Sequence, residues 1–310
     1  MKKVVVTGGA GFVGSHLTEL LLSRGYHVII IDDLSTGKKA NIEPLLKSMR
    51  VEFIQGSITD PPLLQNLFQG VYYVFHQAAI PSVPRSIQDP LSTNKANITG
   101  TLNVLLAARD NNVKKVIYAS SSSVYGDTPT LPKREDMVSH PQSPYALTKL
   151  VGEYYCYIFH QIYDLPTICL RYFNVYGPRQ DSDSQYAAVI PIFIARVSQN
   201  KPPIIYGDGE QTRDFTFVKD VIQANIIGAE SDACGVFNIG RGENSTLNDL
   251  AKTITDLMGK DLQSEYHPPR VGDVRDSLAD ISKARAIGYE PQYSLDKGLR
   301  ETIKRLPSAS

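Results

Sequence analysis

Cysteine is scarce, net charge is nil, and no apolar run is long. The 310 residues contain three cysteines, Cys156, Cys169 and Cys234, far apart and without CxxC spacing. That argues against a disulfide framework and against any metal site built on cysteine, and predicts small buried hydrophobes in a reducing compartment. Lys+Arg and Asp+Glu balance at 32 each, so charge gives no pointer to nucleic acid or an anionic membrane as partner. A locally basic pocket for a phosphorylated ligand stays open. No stretch approaches the roughly 18 apolar residues of a membrane span. The opening Met1-Lys2-Lys3-Val4-Val5-Val6 is interrupted by Thr7-Gly8-Gly9, which fits a first β-strand better than a signal peptide. A soluble, cytoplasmic protein is the expectation.

What is present is ordinary for a globular protein: 42% hydrophobic and 21% charged residues. Apolar runs at Lys3–Thr7, His27–Asp32, Val51–Gln55, Val71–Gln77, Val116–Ser120 and Thr167–Tyr172 read as strands. Helix-like segments at 12–24, 61–69, 94–111 and 144–163 separate them. Val/Ile-rich runs spaced by helices predict an α/β fold, a doubly wound parallel sheet of the Rossmann type. The second half has more Pro and Gly and shorter elements, with a last helix near 294–305. It reads as a smaller mixed α/β C-terminal substrate domain. The expected division is 1–173 for the dinucleotide domain, rejoined by part of 215–240, and 174–310 for the substrate domain; the tail 307–310 reads as frayed.

Thr7-Gly8-Gly9-Ala10-Gly11-Phe12-Val13-Gly14 follows the first strand and opens the first helix. Gly8, Gly11 and Gly14 permit a tight turn and close approach to a pyrophosphate, which the helix N-terminus then attracts. A glycine cluster alone also occurs as a plain turn. Here Asp32 ends the second strand about 20 residues on, placed to accept from ribose hydroxyls and to repel a 2′-phosphate, so NAD is favoured over NADP. Ser57 and Ile58 after the third strand should flank the adenine. Gln77, Ala78 and Ala79 end the fourth, and Asn97 could reach the same crevice. Each of these would serve equally in ordinary strand-end packing.

Ser143-Pro144 makes a good helix start, which sets Tyr145 and Lys149 four apart on one helical face. A lysine ammonium and a nicotinamide cation beside a phenol would lower its usual value near ~10 and give a base usable near neutrality. A YxxxK by itself is commonly a surface pair. Four serines, Ser120 to Ser123, at the end of a buried strand lie where open α/β sheets bind ligands.

TGGAGFVG, Asp32, SSSSVYG, YALTK and Arg171-Tyr172-Phe173-Asn174 together resemble the extended short-chain dehydrogenase/reductase family, and within it the UDP-glucose and UDP-N-acetylglucosamine 4-epimerase group. The likeness runs from the first strand to about residue 300. It implies that Tyr145 takes the sugar 4-hydroxyl proton, Lys149 holds the nicotinamide ribose, and Ser121 bridges phenol and sugar oxygen. A hydride passes to NAD and returns on the other face of a transient 4-keto sugar. The same resemblance adds Asp33, Ser120, Tyr172 and Val175 to the cofactor's contacts. On the substrate side it implies Ser122, Asn174, Val189 and Ile190 with Ile205 and Tyr206 as uracil walls, Arg213 and Arg270 on the diphosphate, and Asp273. A homodimer through the helices near 94–111 and 144–163 is implied as well.

Dehydratase relatives carry Asp-Glu just before the VYG; Ser122 and Ser123 stand there instead, which disfavours elimination. At Ser277, relatives restricted to plain hexoses tend to have tyrosine, so room for a 2-acetamido group is expected. Ser57 replaces an aspartate common in relatives, and Pro81 a lysine found in some, so bound NAD should exchange more readily. A UDP-glucuronate 4-epimerase is the alternative, since SSSSVYG also resembles that group. A net dehydrogenase and a non-catalytic nucleotide-sensing module are more distant readings.

Overall fold

The computed structural model describes residues 1–181, 188–269 and 275–305. Six strands form where the apolar runs predict them: β1 (Lys3–Thr7), β2 (His27–Asp32), β3 (Val51–Gln55), β4 (Tyr73–His76), β5 (Lys115–Ser121) and β6 (Thr167–Tyr172). A seventh, Gly235–Ile239, pairs with β6 at the edge. All seven are parallel, in the order seventh strand, β6, β5, β4, β1, β2, β3. In the first half the helices are α1 (Phe12–Ser23), α2 (Pro61–Leu67), α3 (Val83–Gln88), α4 (Pro90–Asn94), α5 (Gly100–Asp110) and α6 (Pro144–Tyr163). In the second they are α7 (Val189–Ser198), α8 (Val218–Glu230) and α9 (Leu247–Leu257), with a final helix at Leu295–Ile303.

Both faces of the sheet are covered, which is why its strands read as unbroken apolar runs. Val4, Val6, Val28 and Ile30 point to the layer of α1 and α8, whereas Val5, Ile29 and Ile31 point to that of α2, α5 and α6. Each such side chain, wholly withdrawn from water, contributes about 1.5–3 kcal/mol. The core beneath α1 and α8 runs without a break into the second half, taking in Phe193, Val197, Leu250, Ile254 and Leu299.

The start of the predicted 94–111 helix differs. The chain turns helical at α3 and α4, where Ser82 caps Arg85 N and Asp89 caps Ser92 N, each with a proline in the first turn. A π-helical stretch, Lys95–Thr99, then leads into α5. Ser143 caps α6 as its sequence requires, accepting from Ala146 N at 3.1 Å.

The strand order reverses beside β1, because β2 follows on one side and β4 lies on the other. Ligands of open α/β sheets bind at the carboxyl ends of strands at such a switch point. The glycine loop after β1, Gln77–Ala79 after β4 and the serines after β5 all open there. Among the described residues no helix is long and apolar enough to cross a membrane.

Candidate active site

At the glycine loop the fit for a dinucleotide is steric first. Gly8 has φ +68, and a Cβ there would fall 2.6 Å from Ala78 N. A Cβ on Gly14 would lie 2.2 Å from the Gly8 carbonyl. Helix α1 has no side-chain cap at Gly11, so the first-turn N–H groups of Phe12, Val13 and Gly14 lack intrahelical partners and face the loop's mouth. Asp32 is buried and accepts from Ala10 N at 2.9 Å and Leu34 N at 2.8 Å. Burial pushes its carboxyl above the usual range, while these backbone donors pull the other way. An anchored carboxylate here suits a ribose diol and rejects a phosphate.

Other expected cofactor residues have different occupations. Asp33 is exposed and accepts from Ser35 N. Ser57 closes on Thr59, and Ile58 packs against Gly100 while its carbonyl accepts from Asn103. Ala78 N donates to Thr7 Oγ1, and Ala79 continues that loop toward Ile80. Asn97 was expected to reach the crevice. Its amide is instead spent on Ile80 N at 2.8 Å and Thr148 Oγ1 at 3.0 Å, tying the loop after β4 to α6. Gln77 and Tyr172, both half-buried, meet each other and the buried Asn225 of α8. Asn225 carried no motif and was not foreseen.

The residues expected to be catalytic converge. Tyr145 and Lys149 stand on consecutive turns of α6, with the Lys149 Nζ 5.9 Å from the Tyr145 ring centre and donating to the Ala119 carbonyl at 2.8 Å. Ser121, at the end of β5, hydrogen-bonds the Tyr145 phenol and accepts from Ser123 N and Oγ, so Ser122 is carried in the turn directly beyond. Burial is the largest influence on Tyr145 and raises its phenol above the usual value, with Ser121 opposing. The expected lowering called on the Lys149 ammonium together with a nicotinamide cation; in the chain itself burial prevails. Burial also lowers Lys149, to about 8, with Glu153 opposing. Ser120 is a second correction. Strand alternation turns it with Tyr118 toward α6, where its hydroxyl donates to Glu153 at 2.5 Å, away from the crevice.

A cavity of about 420 Å³ opens between α7 and the segment 204–213. It gathers Asn174, Val175, Val189, Ile190, Tyr206 and Arg213 from three stretches of chain. Val175, expected near the cofactor, lines this cavity. Ile205 does not: in the strand Ile204–Tyr206 alternate residues face opposite ways, so Ile204 and Tyr206 line it and Ile205 lies in the core. Phe193, Arg196 and Gln211 also line it and were missed. Asn174, at φ 29, donates to the Asp214 carbonyl at 3.2 Å and lies 3.5 Å from Ser277 Oγ. Asp214 is buried and accepts from Arg241 N, Gly242 N and Ala279 N, locking the loops that carry Ser277. Arg270 and Asp273 lie outside the described residues.

Comparison with known proteins agrees with this geometry. The family model for the NAD dependent epimerase/dehydratase family matches residues 4–240. A putative UDP-glucose 4-epimerase of Methanocaldococcus jannaschii is 40% identical over 97% of each chain. A UDP-N-acetylglucosamine 4-epimerase of Methanobrevibacter ruminantium, solved with UDP-N-acetylmuramic acid, is 45% identical with a TM-score of 0.95, covering 98% of this chain and 97% of its own. A UDP-glucuronic acid 4-epimerase of Bacillus cereus, solved with UDP-glucuronic acid and NAD, is 36% identical with a TM-score of 0.90, covering 97% and 98%. The chain belongs to the NAD dependent epimerase/dehydratase family.

Proposed function

We propose that this chain is a UDP-sugar 4-epimerase that inverts the 4-hydroxyl of a UDP-hexose through a 4-keto sugar. The observation that carries the reading is the convergence of Ser121, Tyr145 and Lys149 at the switch point of the sheet, where a nucleotide-sized cavity opens beyond β6.

Bound NAD supplies a hydride acceptor that becomes a hydride donor in the second half of the cycle. The residues do the rest. Tyr145 as phenolate takes the 4-hydroxyl proton while the hydride leaves the same carbon, giving the C=O. The ketone presents its other face, receives the hydride, and Tyr145 returns the proton. Because burial raises the phenol, the positive charges of Lys149 and of the oxidised nicotinamide ring are needed to make it a base. Ser121 steadies the sugar oxygen through both halves. Tyr206 offers a ring for the uracil among apolar walls, and Arg213 a forked cation for the diphosphate.

The substrate reading extends to UDP-GlcNAc and UDP-GalNAc beside UDP-glucose and UDP-galactose. Ser277 is small and 3.5 Å from Asn174, so the wall there leaves volume for an acetamido group that a tyrosine would fill. The proposed assembly is a homodimer: Leu147, Tyr154, Tyr157, Ile158 and Ile162 are exposed along α6, and Leu91 on α4, an apolar face of the kind a partner covers. The proposed domain division places the dinucleotide on 1–173 rejoined by part of 215–240, and the UDP-sugar on the rest of 174–310. The test is a turnover panel of UDP-hexoses, N-acetylated UDP-hexosamines and UDP-glucuronate without added NAD. Interconversion of a 4-epimeric pair is expected. Steady NADH release from a single sugar, or turnover of the uronate alone, overturns the reading.

A further inference from the structure

Three residues one turn apart on α6 grip three successive residues at the end of β5. Tyr145 meets Ser121, Lys149 donates to the Ala119 carbonyl, and Glu153 accepts from the Ser120 hydroxyl. The first two rungs contain the catalytic groups. The third contains none, yet it is the most heavily built. The Glu153 carboxylate is buried and also accepts from Nε and Nη2 of Arg171 of β6, at 2.8 and 2.7 Å. Arg171 in turn lies 4.6 Å over the Tyr125 ring, whose hydroxyl donates to Asn238 of the seventh strand. Beside this rung Gly152 sits so close that a Cβ would fall 2.2 Å from the Tyr118 hydroxyl. Helix, β5, β6 and the edge strand are thus fastened at one level.

A buried ion pair is weak evidence for stability, since desolvating two charges offsets most of their attraction. Its place calls for another role. We propose that Glu153, clamped by Arg171 and Ser120, is a positioning residue that registers α6 against β5 and keeps Lys149 in its ammonium form.

The argument is one of charge and access. Lys149 is 4% exposed, and burial alone pulls an ammonium down strongly. The groups facing it are Tyr145, Glu153 and Cys156 on α6, Tyr118 on β5 at 5.1 Å, and His76 on β4. Burial raises both phenols, so they stay neutral near pH 7, and His76 is held neutral by its own burial, to about 3. Among these groups Glu153 is the carboxylate, and it opposes the effect of burial on Lys149, while Arg171 and Ser120 fix where that carboxylate sits. With it, Lys149 titrates at about 8 and carries its proton at neutral pH. Without it, burial acts with less opposition and the Lys149 midpoint falls, weakening both the ribose contact and the charge acting on Tyr145.

This inference rests on the proposed roles of Tyr145 and Lys149, and its test is independent of turnover. Lysine labelled at 13Cε gives a titration curve for Lys149, assigned by its absence in Lys149→Arg. Glu153→Gln is expected to move the midpoint down by about one unit or more. Because that variant leaves Arg171 buried without its partner, Glu153→Gln/Arg171→Met serves as the second, removing both charges. It is expected to fold and to show a downward shift that is smaller than in Glu153→Gln, because the Arg171 cation is removed with the carboxylate. In kinetics, the alkaline limb of kcat should follow the shift with KM nearly constant, while Glu153→Asp keeps the limb and loses rate. An unmoved Lys149 midpoint in the folded double variant overturns the proposal. A wild type without UDP-sugar turnover would instead sink the functional reading and leave the titration result standing.

Discussion

The two ends of the proposed site are built on opposite principles. Under α6, buried polar groups are tied to one another: Lys149 to Ala119, Glu153 to Arg171 and Ser120, Asn97 to Ile80 and Thr148. In the cavity beside α7, the walls are mainly aliphatic and aromatic, and a few polar groups such as Arg213 and Asn174 stand at its edge. The first arrangement fixes atoms that must exchange a proton. The second, in the proposed reading, would admit a flat apolar base and let the attached sugar present either face. Rigidity at the reacting end and tolerance at the binding end are what an epimerase needs, because a sugar held equally firmly throughout could not turn over between the two hydride transfers.

Substitutions at the reacting end should therefore act on kcat, and those at the binding end on KM. The largest effect is expected for Lys149→Met. Turnover should fall by about 10²-fold or more, yet the fold should not suffer. The lysine's pKa is lowered by folding, from 10.5 to about 8, so the charged form destabilises the native state below that window and the strain disappears as pH rises through it. Thermal melting should find the variant at least as stable as wild type at pH 7, with the gap closing toward pH 10. A lower melting temperature at pH 7 would contradict this.

Arg213→Ala comes next. Losing a forked cation from a diphosphate costs about 1.5–3 kcal/mol, so KM for the UDP-sugar should rise by roughly 10- to 100-fold while kcat changes little. A fall in kcat at unchanged KM would blur the division between the two ends. Ser277→Tyr should then separate substrates: turnover of the N-acetylated pair drops by about 10-fold or more, as expected of filling a pocket, and the plain hexose pair survives. Equal loss for both pairs would place Ser277 away from the 2-position.

The smallest effect concerns stability alone. His76 is buried between Thr7 and Thr101, accepting or donating at 2.7 and 2.9 Å, and its pKa is lowered from 6.5 to about 3. A histidine held neutral stabilises the fold fully above pH 6.5 and loses that contribution as pH falls toward 3, at up to about 1.4 kcal/mol per unit. His76→Gln should flatten the decline of melting temperature between pH 6.5 and 4. An unchanged slope would show that other groups set the acid limit.

The same contrast explains what could be read from the chain. Gly8, Gly11, Gly14 and Asp32 declare themselves because a phosphate turn and a strand-end carboxylate need fixed local spacing. Tyr145 and Lys149 do so because one helical turn separates them and Ser143-Pro144 marks where the helix begins. The long-range partners were silent. Glu153 and Arg171 look like any charged residues on a helix and a strand until β6 is laid beside β5. Asn225, Arg196 and Gln211 belong to no local pattern, and only the packing of α7 and α8 brings them near the site. Ile205 was misplaced by one residue because a three-residue strand carries too little alternation to fix which side faces the cavity. Ser120 was misassigned for a related reason, since four serines in a row hide the point where the strand stops alternating and the turn begins.

The most direct test of the central claim is Tyr145→Phe, assayed on the UDP-sugar pair that the wild type interconverts, with bound NAD quantified in both proteins. The phenyl ring keeps the packing and removes only the proton carrier. The account predicts a loss of about 10²- to 10⁴-fold in kcat with NAD retention and melting temperature unchanged. Undiminished interconversion by a folded, NAD-loaded Tyr145→Phe protein would contradict it.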